Sequence, residues 1–285
     1  MNELFDTLFD RLPSLSKGHR RIAQYILDHL DKAAFCTAYG LGKQVQTSES
    51  TVVRFASEIG YSGYPELQRA MQAALRSRLN PMQRMEVSER ALGSDDPVVA
   101  LFHSDAELIQ QTARQLDRQA LKACVATLLQ AKTIYIVAQR SSAPLADFLC
   151  YYFSLFFDHV KKLTALSDTE MEEQLFHLEP SDAVLAISFP RYARTVCTAL
   201  SYAESLGAAT IAVTDSMQSP LAKSAQTVLT VKTSLTPFVD SLAAPMSLLN
   251  VLISQIAAQC EARCRDRLSK LELIWENHHV YHTAQ

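Results

Sequence analysis

At 285 residues, the chain is long enough for one or two domains with a full core each. No apolar run approaches the ~20 residues of a membrane span and the N-terminus lacks a signal-peptide pattern, so the expected location is cytoplasmic, with no membrane partner. The net charge of −3 is not that of a typical nucleic-acid binder, but residues 1–79 hold 10 Lys/Arg against 8 Asp/Glu while the remainder holds 17 against 22; this asymmetry fits a small DNA-binding domain on an acidic partner.

Asn2–Arg11 has Leu4, Phe5, Leu8 and Phe9 at helical spacing. Ser16 can cap a second helix over Gly18–Leu30, with Ile22, Tyr25, Ile26 and Leu30 as its apolar stripe. Thr37–Val45 places Ala38, Leu41 and Val45 on one side of a third, and Gln46–Ser48 makes a tight connection. Gly40 and Gly42 lie inside that third helix, each costing ~1 kcal/mol relative to alanine, so it is expected to be loose until DNA orders it.

The next helix carries most of the functional information. Ser48 is an N-cap, and Glu49 suits the positive end of the dipole. Val52, Phe55, Ala56 and Ile59 share one face at i, i+3, i+4, i+7. Ser50, Arg54 and Ser57 lie opposite, with Thr51 and Glu58 beside them, and Gly60 can turn left-handed to end the helix. Short hydroxyls let a helix approach DNA closely, and an arginine reaches a guanine edge or a phosphate. In isolation this is an ordinary amphipathic surface helix. Joined by a short turn to the helix before it, it becomes the second element of a helix-turn-helix. Tyr61–Pro65 is a turn, and Pro65 opens a further helix to about Leu79. Its Arg69, Arg76 and Arg78 read as solvated charges. The candidate DNA-contacting residues are Lys43, Gln46, Thr47, Ser48, Ser50, Thr51, Arg54, Ser57 and Tyr64.

A linker follows over residues 80–97, opened by Asn80-Pro81 and closed by Gly93-Ser-Asp-Asp-Pro97. Two helices come next, about Val98–Gln115 and Arg118–Gln130. Short β-branched runs then alternate with helical stretches. The strands are Thr133–Ala138, Val160–Leu163, Ala183–Ile187, Thr210–Val213 and Thr227–Val231. Helices are expected over Ser142–Phe157, Asp168–His177, Tyr192–Leu206 and, briefly, near Pro220–Ser224. This alternation implies a parallel sheet of five strands covered on both faces. The apolar run from Leu242 to Ala258 belongs to a long helix over about Ser241–Cys264. It is either a dimer surface or a deeply buried helix. A C-terminal helix runs past Trp275.

Ligands of such sheets bind beyond the carboxyl ends of the strands. Two ends there carry hydroxyls and arginines leading into helix N-termini: Ala138-Gln-Arg-Ser-Ser142 and Ser188-Phe-Pro-Arg-Tyr-Ala-Arg-Thr195. Such loops can bind an anion, although polar residues are also normal in plain connecting loops. The candidate effector-binding residues are Arg140, Ser141, Ser142, Ser188, Arg191, Tyr192, Arg194 and Thr195. Cys36, Cys124, Cys150, Cys197, Cys260 and Cys264 are scattered, mostly on apolar stripes, with no histidine at zinc-site spacing. They read as reduced packing residues, and no metal or cofactor is expected.

Residues 1–79 resemble the N-terminal domain of the RpiR/MurR family of bacterial transcriptional regulators. The resemblance rests on Arg20-Arg21-Ile22-Ala23, Tyr25-Ile26-Leu27, Ser48-Glu49, Thr51-Val52-Val53-Arg54-Phe55 and Gly60-Tyr61-Ser62-Gly63-Tyr64. Gln46 occupies a turn position that usually holds glycine in this family. Ile134–Val231 resembles the sugar isomerase (SIS) domain, most clearly in Asp182-Ala-Val-Leu-Ala-Ile-Ser188 and Ile211-Ala-Val-Thr-Asp-Ser216. Members bind phosphorylated sugars through a Gly-x-Gly-x-Ser loop, which maps onto Ala138–Ser142, and a Ser-x-Ser-Gly-x-Thr loop, which maps onto Ser188–Thr195. Neither loop contains glycine here, so either Arg140, Arg191 and Arg194 supply side-chain contacts instead, or the site takes a different anion or a sugar without phosphate.

Together these readings describe an all-α helix-turn-helix domain (residues 1–79), a linker (80–97) and an SIS-like α/β domain (98–285), a flavodoxin-like three-layer sandwich for effector binding and dimerisation. The resemblance implies a regulator of sugar-metabolism genes that binds a double-stranded DNA operator as a homodimer or tetramer. Its small-molecule effector would be a sugar phosphate or related small anion. The alternative is a sugar-phosphate isomerase, with a general base among Glu170, Glu172, Glu173 and His177. Their pattern is that of a solvated helix face, so no catalytic residue is assigned.

Overall fold

The computed structural model describes residues 3–78, 96–165, 167–233 and 239–281. Two compact units divide the chain, which passes from the first to the second between Ala100 and Leu101, with Val239 also grouped with the first. Leu79 and all of the expected linker up to residue 95 lie outside the described residues.

The first unit is helical: α1 (Glu3–Arg11), α2 (Lys17–Asp28), α3 (Leu30–Ala33), α4 (Ala38–Gln44), α5 (Glu49–Glu58) and α6 (Tyr64–Arg78). The expected stripes converge on one core, in which Leu8, Ile22, Ile26, Leu41, Val52, Phe55 and Leu67 are fully buried. Truncating a buried phenylalanine such as Phe55 costs ~3–5 kcal/mol. Ser16, Thr37 and Ser48 cap α2, α4 and α5 through their side chains. Gly60, at φ 101°, ends α5 as expected, and Tyr61 N–H closes back on the Ala56 carbonyl at 3.0 Å. The expected single helix over Gly18–Leu30 is broken at His29, after which α3 begins.

Gly42 has a packing role in α4 that helix propensity alone does not reveal. A Cβ built there would lie 2.9 Å from the Thr47 carbonyl oxygen and 3.4 Å from Glu49 N. The glycine is what lets α4 approach the turn and the start of α5, and Thr47 N–H donates to the Gly42 carbonyl at 2.8 Å across that contact.

From Pro97 on, the chain contains α7 (Pro97–Gln115), α8 (Arg118–Gln130), β1 (Ile134–Ala138), a 3-10 turn (Arg140–Ser142), α9 (Ala143–Phe156), β2 (Val160–Leu163), α10 (Asp168–Gln174), β3 (Ala183–Ile187), α11 (Arg194–Ser205), β4 (Ala209–Thr214), a 3-10 turn (Pro220–Ser224), β5 (Thr227–Thr230), α12 (Ala243–Gln259) and α13 (Glu261–Asn277). The strands form one five-stranded sheet, order β2-β1-β3-β4-β5, with every pairing parallel. Its residues alternate between two cores. Ile134, Ile136, Leu185, Ile187, Ile211 and Val213 face one; Tyr135, Val137, Val184, Ala186 and Ala212 face the other. That period of two, with every residue of β1 and β3 buried, is a sheet covered on both faces.

Of the two readings left open for the apolar run from Leu242, burial holds. Leu248, Leu249, Leu252, Ile253 and Ile256 of α12 lie in the core. Among the described residues no single helix is long and apolar enough to cross a membrane.

Candidate nucleic-acid interface and ligand cleft

On α5 the buried face is Val52, Phe55 and Ala56, with Ile59 beyond it. Ser50, Arg54 and Ser57 are exposed on the other side, as are Lys43, Gln46 and Ser48 before the helix; Thr47 and Thr51 are half-buried. Ser48 Oγ accepts from Thr51 N–H at 3.2 Å and lies 2.9 Å from Ser50 Oγ and 2.8 Å from Thr51 Oγ1, so a chain of hydroxyls lines the start of the helix. Arg54 Nε donates to the Ser50 carbonyl one turn back, at 3.3 Å, which lays its guanidinium along the exposed face. Gln46 has φ 55°. The turn thus keeps the left-handed conformation that glycine would take without strain.

Tyr64 is a correction. Its ring is 5 % exposed, and its hydroxyl donates to the Cys36 carbonyl at 2.7 Å. Burial pushes its pKa well above the ordinary tyrosine value, with the nearby Cys36 adding to the shift. Tyr64 therefore ties the start of α6 to the segment between α3 and α4 and does not lie on the exposed face of α5.

In the second unit, β1 is flanked by β2 on one side and β3 on the other. The chain therefore leaves β1 and β3 in opposite directions, which opens a crevice beyond their carboxyl ends. The two hydroxyl- and arginine-bearing loops stand at those ends. Arg140 begins the loop after β1 with φ 55°, and it is exposed, as are Ser141 and Arg191. Arg140 falls on the second glycine of the Gly-x-Gly-x-Ser pattern, so this loop also keeps a glycine conformation without glycine.

The remaining candidates are held by protein partners. Ser142 is buried at the start of α9, its N–H donating to the Gln139 carbonyl at 3.1 Å. Ser188 is buried, and its Oγ accepts from Ala193 N–H at 3.1 Å, closing its own loop. Tyr192 donates its hydroxyl proton to Asp215 Oδ1 at 2.8 Å. Arg194 Nε pairs with Asp168 Oδ2 at 3.1 Å with its side chain 89 % exposed, a pair that solvent weakens strongly. Asp168 Oδ1 is buried with no hydrogen-bond partner among the described residues. Thr195 Oγ1 donates to Gln139 Oε1, and Gln139 Nε2 donates to the Ala165 carbonyl at 2.5 Å.

Gln139 thus links the end of β1 to the segment after β2 and to the first turn of α11. Neither Gln139 nor Asp215 was singled out by the sequence, although both lie inside runs that attracted attention. Their partners are 56 and 23 residues away, and no local pattern reports such pairings. Of the carboxylates and histidine weighed as a catalytic base, Glu172, Glu173 and His177 are exposed and Glu170 is half-buried on α10.

All six cysteines are free thiols. Burial pushes Cys124 up to about 12 and Cys150 up to about 11, the latter against a lowering contribution from Lys162. Cys260 and Cys264 are buried packing residues.

Residues 3–78 match the family described as "Helix-turn-helix domain, rpiR family", and residues 127–255 match the SIS domain. The crystal structure of the sugar isomerase domain of an RpiR transcription factor from Sphaerobacter thermophilus is 30 % identical with a TM-score of 0.59, over 61 % of this chain and 97 % of that one. The HTH-type transcriptional regulator HexR of Escherichia coli (strain K12) is 25 % identical, over 94 % of this chain and 93 % of its own length. The Vibrio vulnificus NanR protein complexed with ManNAc-6P shares the fold at 20 % identity, with a TM-score of 0.60 over 96 % of this chain and 98 % of that one.

Proposed function

Because the chain belongs to the RpiR family of transcriptional regulators, we propose that its two sites act as one device. The helix-turn-helix reads an operator through α5, and a small anion bound at the β1/β3 crevice changes how well it does so. The chain itself is a DNA-binding transcriptional regulator with an N-terminal helix-turn-helix and a C-terminal SIS domain. Beyond this, Lys43, Gln46, Thr47, Ser48, Ser50, Thr51, Arg54 and Ser57 form the proposed DNA-facing set. The proposed division is residues 1–79 for reading, 80–97 as linker and 98–285 for sensing and self-association. Two copies would place two reading helices on a pseudo-palindromic site in the cytoplasm.

The observation that carries the sensing half is the position of Arg140 and Arg191. Both are exposed guanidinium groups, on the two loops that flank the crevice. A guanidinium fork suits a phosphate or carboxylate, so a sugar phosphate or a related sugar acid is the proposed effector class. The NanR structure, of the same fold, is complexed with ManNAc-6P. No turnover is proposed: a relative similar over nearly the whole chain is named a transcriptional regulator, and of the four groups weighed as a base Glu172, Glu173 and His177 are exposed and Glu170 is half-buried on a helix face. A ligand can act only by favouring one state of the protein over another.

The test is a thermal-shift screen of the full chain against sugars, sugar phosphates and sugar acids. It is followed by titration of the strongest binder into the protein–DNA complex at fixed salt. The binder should raise the unfolding midpoint and change DNA affinity, and Arg140→Ala and Arg191→Ala should each weaken both effects. Binding that survives both substitutions would remove the crevice from consideration.

A further inference from the structure

The helix-turn-helix is held from outside by basic side chains that the DNA-facing set does not include. Arg21, on the exposed side of α2, donates from Nη2 to the Gln46 carbonyl oxygen at 3.1 Å. At the other end of α5, Arg11 Nη1 donates to the Glu58 carbonyl at 2.7 Å, and His19 Nδ1 lies 2.5 Å from Glu58 Oε2. The reading helix is therefore gripped at both ends by α1 and α2.

The Arg21 contact differs from the other two because of what it holds. Gln46 has φ 55°, a conformation that side-chain-bearing residues avoid. One residue on, the Thr47 carbonyl sits where Gly42 leaves no spare room. On the other side, the Cβ position of Gly18 lies 3.7 Å from Thr51 Cγ2, so α2 is against the first turn of α5. A change in the turn cannot be absorbed within it and must move the start of α5, where the hydroxyls stand.

We infer that Arg21 is a positioning residue for DNA reading: its guanidinium fixes the strained Gln46 turn, and through it the pose of α5, without itself contacting DNA. One feature argues against a phosphate contact: the depression that Arg21 lines with Gln24 and Gln44 also carries the carboxylate of Asp28, which repels a phosphate. The inference rests on α5 being the reading helix.

The experiment uses the full chain and the tightest DNA duplex recovered from it by in vitro selection, with affinity followed by fluorescence anisotropy from 50 to 200 mM salt. A charge-assisted hydrogen bond of this kind makes the expected loss for Arg21→Gln roughly tenfold. The slope of log affinity against log salt should be unchanged, whereas losing a phosphate contact would flatten it by about 0.9. A glycine relieves the strain that the contact restrains, so in a Gln46→Gly background the loss from Arg21→Gln should fall below about threefold. Arg21→Lys, which keeps the charge and a donor group, should lose less than Arg21→Gln with the same slope, and it serves if Arg21→Gln unfolds. A flattened slope, unchanged affinity, or an equal loss in the glycine background would each overturn the inference. Failure of the wild-type chain to select any duplex would instead refute the α5 reading beneath it.

Discussion

Arg140→Gly should make the protein more stable and less responsive at once. Arg140 holds φ 55° two residues past the end of β1 and its side chain is exposed. A non-glycine residue in the left-handed region costs ~1–2 kcal/mol. Glycine removes that cost but gives back ~0.5–1 kcal/mol through the greater freedom of the unfolded chain. The net expected gain is ~0.5–1 kcal/mol, or about 1–4 °C in the unfolding midpoint of a domain this size. Arg140→Ala keeps the strain and loses the same guanidinium, so it should show no such gain.

The ligand response should move the other way. Losing one charge-assisted contact weakens binding roughly tenfold. At a concentration about 100 times the wild-type Kd, ligand stabilisation is ~2.7 kcal/mol; a tenfold weaker site leaves ~1.4 kcal/mol at the same concentration, so the ligand-induced shift halves. Scanning calorimetry of the wild type, Arg140→Gly and Arg140→Ala, with and without the strongest binder from the sugar-phosphate panel, measures both quantities. If glycine is no more stable than alanine at this position, the strain argument fails. If the ligand-induced shift is undiminished in both variants, Arg140 is not part of the effector site.

Gly42→Ala should destabilise the helix-turn-helix by ~1–3 kcal/mol despite alanine's better helix propensity, because the new Cβ meets the Thr47 carbonyl at 2.9 Å; urea unfolding of the full chain checks the sign. Tyr64→Phe removes the 2.7 Å bond to the Cys36 carbonyl, which also accepts from Gln68 Nε2 at 2.8 Å. The expected cost is about 1 kcal/mol of stability, with the salt slope of DNA binding unchanged. Cys124 should resist iodoacetamide at pH 8 in the folded protein. With its pKa pushed up to about 12, its thiolate fraction is on the order of one in ten thousand. Labelling as fast as that of a free thiol would contradict the burial.

The fold was legible wherever one periodicity ran unbroken. β1 and β3 are continuous apolar runs because both sheet faces are covered, and the caps at Ser16 and Ser48 stand where the hydroxyls marked them. The break at His29 was not legible. No glycine or proline signals it, and Leu30 remains buried on the same side as the α2 stripe, so the wheel runs through it unbroken. In the crevice, the loops could be found from their place after strands, but the use of each hydroxyl could not. Thr195 and Tyr192 look like free ligand donors in the sequence, and only the folded chain brings Gln139 and Asp215 to them.

The scarcity of glycine made both sites look like departures from the family, and the backbone gives that a different meaning. Gln46 and Arg140 stand where the family resemblance leads one to expect glycine, and both have a glycine-like φ of 55°. Each site therefore combines a backbone conformation that suits glycine with a full side chain. Each such residue costs ~1–2 kcal/mol, a sizeable share of the ~5–15 kcal/mol by which a domain is stable. A left-handed residue with a costly side chain is accounted for when the surroundings use it. At Gln46 the strained peptide offers its carbonyl to Arg21, which ties the turn to α2. At Arg140 the same strain carries a guanidinium to the mouth of the crevice, where a glycine loop would have offered only backbone N–H groups.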